Sequence, residues 1–187
     1  MRRANSRPPR RLGSRVGRLR LPCDAETVAR PQPDEADFDI DAFLARPLMA
    51  HLATSSPDGP RDSPVWFLWE QRSVWLIGSS RDSFPRRIAR DGRCAIGIVD
   101  FDLARGRLHH VGMRGAATVV PLDQDRLHRL LSRYLGDDKA RWNAEFRRSV
   151  IDRLDLMVRF EPMSIVARDQ SYFSRTADGD TRPHDTA

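Results

Sequence analysis

The residues best suited to chemistry lie in one stretch, Ile77-Gly78-Ser79-Ser80-Arg81-Asp82-Ser83-Phe84-Pro85-Arg86-Arg87. An apolar run that reads as a strand ends there in small hydroxyl residues, and a helical segment carrying Arg86, Arg87 and Arg90 follows. A helix N-terminus offers unpaired N–H groups and a partial positive charge, which together favour anions. Ser79 and Ser80 add hydroxyl donors, and an arginine can grip a phosphate with a two-pronged fork. At about 1.5–3 kcal/mol for each charge-assisted bond, three or four of them would anchor a phosphomonoester. An ordinary capped helix with a solvated basic face would use the same residues, so the spacing leaves both readings open.

Ser63-Pro64-Val65-Trp66 is the second group. Proline cannot donate to a strand ladder, so Pro64 marks an edge or a bulge, where a flat ring could lie against the backbone. The third group is His109-His110, followed by Val111-Gly112-Met113-Arg114-Gly115, a glycine-broken strand with room for a bulky ligand. Adjacent histidines in a strand point to opposite faces and cannot chelate one metal together. His51, His128 and His184 show no ligand spacing, so no metal is expected. Asp100 and Asp102 read as a polar rim. No GxSxG, Walker or HExxH motif occurs, and no catalytic side chain is assigned.

The elements that must position these groups are mostly strands. A short helix opens the domain, with Asp39 as its cap and Arg46-Pro47 as its stop. Strands follow at 48–54, 62–70 and 74–79, with a turn at Ser56-Pro57-Asp58-Gly59. A helix over 80–91 leads to strands at 93–102 and 108–122. A helix over 123–135 places Leu127, Leu130, Leu131 and Tyr134 on one face. A second helix covers 139–152, and a last strand, 156–168, is bent by Pro162. The pattern predicts a mainly β domain over 39–173, a six-stranded antiparallel barrel with peripheral helices. Val65–Trp69 and Val74–Ile77 are apolar on both faces, which points to a covering element or a partner outside the barrel. Three tryptophans in that hairpin, Trp66, Trp69 and Trp75, favour a subunit interface.

The net charge of +6 suggests nucleic acid until it is mapped. Residues 1–30 hold nine arginines against two acids, and the remainder carries 23 basic and 24 acidic residues. The charge belongs to an Arg/Pro-rich tail, 1–35, too poor in apolar residues to fold, so nucleic acid is not an expected partner of the near-neutral domain. The tail also has the Arg-rich, acid-poor style of a targeting peptide, and an unstructured leader is the favoured reading. Residues 174–187 read as a flexible C-terminus. No apolar run approaches the roughly 18 residues of a membrane span. Two cysteines without CxxC or metal spacing suit a reducing cytoplasm.

The segments HLATSSPDGPRDSPVWFLWE, VWLIGSSRDSFPRRIARDGRCAIGIVDFD and HHVGMRGAATVV resemble, in order and spacing, the split-barrel flavoproteins of the pyridoxamine 5′-phosphate oxidase family. The resemblance runs from about Leu48 to Val120. It implies a homodimer with FMN at each interface and a redox reaction on a small organic molecule. Residue by residue it places Ser63, Val65 and Trp66 along the flavin ring, Ser79 and Ser80 on the phosphate, and His110 at a polar contact to the ring. Phe84 stands where the family's phosphate-binding Lys is expected, so Arg86 or Arg87 would have to substitute. Related split barrels bind the deazaflavin F420 or haem, and an F420-dependent reductase or a non-catalytic flavin-binding module are the alternatives. The family's C-terminal substrate pattern is not recognisable in 170–187, so pyridoxamine phosphate is not the expected substrate.

Overall fold

The structure, a computed structural model, describes residues 38–175 and 181–183. The tail over 1–35 and most of the segment 174–187 therefore lie outside the described residues. Helix α1 (Ile40–Leu44) starts where the extended Asp39 turns its carboxylate onto the N–H groups of Asp41 and Ala42, at 2.9 and 3.1 Å. Its Phe43 and Leu44 enter the core. Seven strands follow in chain order: β1 (Ala50–Thr54), β2 (Arg61–Val65), β3 (Phe67–Glu70), β4 (Ser73–Gly78), β5 (Arg93–Asp102), β6 (Arg107–Pro121) and β7 (Leu156–Asp169). Helix α2 (Ser83–Arg90) joins β4 to β5, while α3 (Gln124–Leu135) and α4 (Ala144–Ser149) lie between β6 and β7. A separate two-stranded ribbon pairs β8 (Phe173–Arg175) with β9 (Thr181–Pro183).

All pairings are antiparallel, in the order β2-β1-β5-β6-β7-β4-β3. The two edge strands are consecutive halves of one extended segment. Val65 pairs with Ala50 at one end of the sheet and Phe67 with Leu76 at the other, so Trp66 joins the two ends. The sheet must curl to allow this, and the result is a split barrel. Six strands were expected because Val65–Trp69 reads as an unbroken apolar run; the observed seven come from the break at Trp66. The Tyr134 hydroxyl of α3 fills that break, donating to the Leu48 carbonyl at 2.7 Å and accepting from the Phe67 N–H at 3.1 Å. Leu52, Phe67, Leu76, Ile98, Val111 and Phe160 line the interior with no exposed surface, and Phe84 and Ile88 of α2 join the same core.

Pro162 bends β7 as expected. The β6–β7 register slips between Arg114 and Gly115, opposite Pro162, and Met163 drops out of the ladder. A Cβ at Gly115 would lie 2.1 Å from the Glu161 carbonyl oxygen. This glycine answers to the neighbouring backbone, which corrects the expectation of ligand space there. Gly112 in turn lies beneath the His110 ring, whose Cε1 would be 3.1 Å from an added Cβ.

The helix expected over 139–152 is divided. A single tight turn at Lys139–Arg141 ends in an extended Trp142, and Asn143 then caps α4 by accepting from the Phe146 N–H. Trp142 is thereby turned inward onto Leu127 and Leu131. Within the chain, the tryptophan hairpin already has partners of its own. Trp66 stacks on Tyr134, Trp75 lies under the Arg126 guanidinium at 3.7 Å, and the Trp69 indole donates to Asp41 at 2.6 Å.

Candidate anion and ring site

Arg87 brings three separate elements together. Its Nε donates to Thr54 Oγ1 of β1 at 2.7 Å, its Nη1 to Ser83 Oγ of α2 at 2.8 Å, and its Nη2 to Ser63 Oγ of β2 at 3.0 Å. Among the described residues no carboxylate pairs with it. A half-buried guanidinium with only neutral partners keeps a demand for negative charge. Ser63 and Ser83 accept from the arginine and retain their own protons to donate, whereas the buried Thr54 gives its proton to the Arg61 carbonyl at 3.5 Å. The group therefore offers an anion one cation and two O–H donors.

Ser63 and Ser83 also line a pocket of about 410 Å³, within the usual range for small-molecule sites. Pro64, Val65 and Trp66 form one side of it, and Phe84, Phe146 and Leu154 contribute to the rest. The Trp66 indole is held flat on Tyr134, with centroids 4.6 Å apart and planes 4° from parallel, and Phe146 leans on it at 5.7 Å. The pocket is thus an apolar slot whose polar end holds Ser63, Ser83 and the Asp82 carboxylate, with the Arg87 guanidinium behind the two serines.

Of the sequence-derived site residues, Ser63, Val65 and Trp66 line this pocket, and Arg87 is bonded to Ser63 at its polar end. Ser79 and Ser80 lie close by in chain but already have partners. The Ser79 N–H donates to Asp82 Oδ2 at 2.8 Å, and Ser79 Oγ accepts from the Arg81 N–H at 3.2 Å. Ser80 gives its N–H to Asp155 Oδ1 at 2.7 Å and its hydroxyl to Asp155 Oδ2 at 2.6 Å. Arg86 is exposed and turns to the Arg81 carbonyl at 3.4 Å, leaving Arg87 as the arginine of the site. His110 stands on the outer face of β6, over Gly112 and Gly97 and away from this pocket. Burial, with the Arg168 charge beside it, pushes its imidazole below the usual histidine range.

The other titratable candidates serve the fold. Asp100 is buried and clamped by Arg46 at 2.6 Å and Arg107 at 2.9 Å, so it is ionised and structural. His109 stacks on Phe38 and faces Asp169. Burial pushes the Cys94 thiol up to about 11, far from nucleophilic use. Sequence reasoning missed Thr54, Ser83 and Asp155. Ser83 had a signal, its i,i+4 spacing to Arg87 on one helix face, whereas Thr54 and Asp155 reach the site only through tertiary folding.

The family model described as pyridoxamine 5′-phosphate oxidase matches residues 37–163, more than half of the chain. The chain belongs to that family. The pyridoxamine 5′-phosphate oxidase family fold, a flavin-binding split barrel, is also found in solved structures. A conserved hypothetical protein from Mycobacterium tuberculosis is 23% identical with a TM-score of 0.58, over 75% of this chain and 89% of that one. An F420 reductase is 24% identical with a TM-score of 0.54, over 70% of this chain and 98% of that one. The flavocytochrome Anf3 from Azotobacter vinelandii is 14% identical with a TM-score of 0.53, over 70% and 65%. No curated protein matches the chain. Among the described residues no helix is long and apolar enough to cross a membrane, and no cluster of three or more His, Cys, Asp or Glu could hold a metal.

Proposed function

We propose that the chain binds FMN in the 410 Å³ pocket and works as a homodimeric, cytoplasmic flavin-dependent oxidoreductase on a small organic molecule. The observation that carries this reading is Arg87, a guanidinium that no carboxylate pairs among the described residues, bonded to Thr54 and to the two serines, Ser63 and Ser83, at the polar end of an apolar slot. The residues present fit the cofactor: the hydroxyl-ringed arginine for its phosphate, and Val65, Pro64 and Trp66 for its ring. When bound, FMN supplies reversible hydride transfer. The protein's residues bind, orient and exclude water. Trp66, fixed between Tyr134 and Phe146, keeps the slot's shape, and Phe84, Phe146 and Leu154 keep it dry. In the proposed dimer the exposed Val99 and Phe101 of β5 are buried, and His110 from the second copy gives the ring a polar contact.

The test is a melting curve with added flavin. At 100 times its dissociation constant FMN raises stability by about 2.7 kcal/mol, and Arg87→Gln removes most of that gain. A protein that purifies colourless and melts identically with and without FMN overturns the reading. The same titration with F420 separates a deazaflavin reductase from a flavin enzyme. Turnover with oxygen or a reduced nicotinamide separates an oxidoreductase from a non-catalytic flavin carrier.

A further inference from the structure

The turn after β4 has the donors of a phosphate cradle, and the chain fills it with its own carboxylate. One amide and one hydroxyl of Ser80 clasp the two oxygens of Asp155 at 2.7 and 2.6 Å, while Asp82 takes the Ser79 N–H at 2.8 Å. A phosphate bound at this turn would receive the same donors. The same turn runs on into Ser83, which accepts from Arg87 at 2.8 Å. Asp82 and Ser83 line the pocket from one side of the turn, and Leu154, the residue before Asp155, lines it from the other. The bonds from Ser80 hold the Asp155 carboxyl below the usual carboxylate range, so it is charged at neutral pH.

Resting on the flavin reading above, we infer that Asp155 is a specificity-determining residue that restricts the cofactor to one terminal phosphate. A monophosphate satisfies Arg87 with Asp155 in place. A tail that continues into a second anionic group meets the Asp82 and Asp155 carboxylates, and it can use the turn's donors only by displacing Asp155. Arg86 is turned to the Arg81 carbonyl, the family's lysine position is Phe84, and the Arg81 charge already acts on Asp155 itself.

Dissociation constants for riboflavin, FMN and FAD, read from flavin fluorescence, test this in the wild-type chain, Asp155→Ala and Asp155→Asn. Riboflavin reports the ring slot alone. In the wild type FMN should bind at least about tenfold tighter than FAD, the equivalent of one charge-assisted bond. Asp155→Ala should bring FAD to within about threefold of FMN and leave riboflavin unchanged, with Asp155→Asn between. Equal affinity of the wild type for FMN and FAD overturns the inference, whatever the variants do. So does an equal loss for all three ligands on replacing Asp155, which would make the residue a staple for the start of β7. Failure of every flavin to bind the wild type overturns the flavin reading and this inference with it.

Discussion

The phenol of Tyr134 lies flat on the indole of Trp66 at the one residue where the barrel's two sheet ends meet. The same side chain supplies the hydrogen bonds that the broken strand lacks. Its hydroxyl takes the Phe67 N–H and donates to the Leu48 carbonyl. Closure of the barrel and shaping of the ring slot therefore depend on one tyrosine.

Tyr134→Phe keeps the stack and removes the hydroxyl. Two backbone groups lose their partner in a buried place, at a cost of about 1–3 kcal/mol. Urea unfolding should show that loss with an unchanged slope. FMN affinity should fall less than stability, because the Trp66 ring keeps its support. A variant as stable as the wild type would show that water replaces the hydroxyl freely.

What could be read from the sequence follows from range. The cap at Asp39 and the bend at Pro162 are written in neighbouring residues, and each appears in the structure. The break at Trp66 is not, because an apolar run looks the same whether one strand or two half-strands bury it. Arg87 was one of two candidates from helical position, and the choice over Arg86 came from Thr54 and Ser63, 33 and 24 residues away. The Ser80–Asp155 clasp spans 75 residues and leaves no local trace.

The β3–β4 hairpin turns through Gln71 and Arg72, with φ of 54° and 55°. A two-residue turn of this hand matches strand twist but favours Asn-Gly, because a side chain at positive φ is strained. Arg72 is exposed and has no hydrogen bond or ion pair among the described residues. Arg72→Gly should raise stability by up to about 1 kcal/mol, and thermal melting reads this directly. A destabilised variant would mean that the flexibility glycine gives the unfolded chain outweighs the strain.

Asp100 gives the fold an acid limit. The bond from Arg46, with the charge of Arg107, holds its carboxyl below the usual range in the folded state. Its folded value lies below its unfolded one, about 3.9. Its contribution is therefore complete above that unfolded value and is lost as pH falls through the folded value. Asp100→Asn should cost about 1–3 kcal/mol at neutral pH and show a shallower decline below about pH 4. Parallel stability–pH curves for the two proteins would remove Asp100 as a source of acid lability.

The outer face of β5 leaves Val99 46% and Phe101 56% exposed, beside the Gly97–Gly112 pair over which His110 lies. Apolar side chains in a row on the outer sheet face, next to residues with no Cβ, suit close approach by another sheet. If a second copy docks there, Phe101→Glu places two charges in the interface and should shift light scattering from a dimer mass to a monomer mass. The melting point of the mutant should then lose its dependence on protein concentration. His110→Ala should leave the dimer intact and weaken FMN binding. A wild-type protein that scatters as a monomer across the micromolar range would separate His110 from the ring site and leave the Arg87 pocket to act within a single chain.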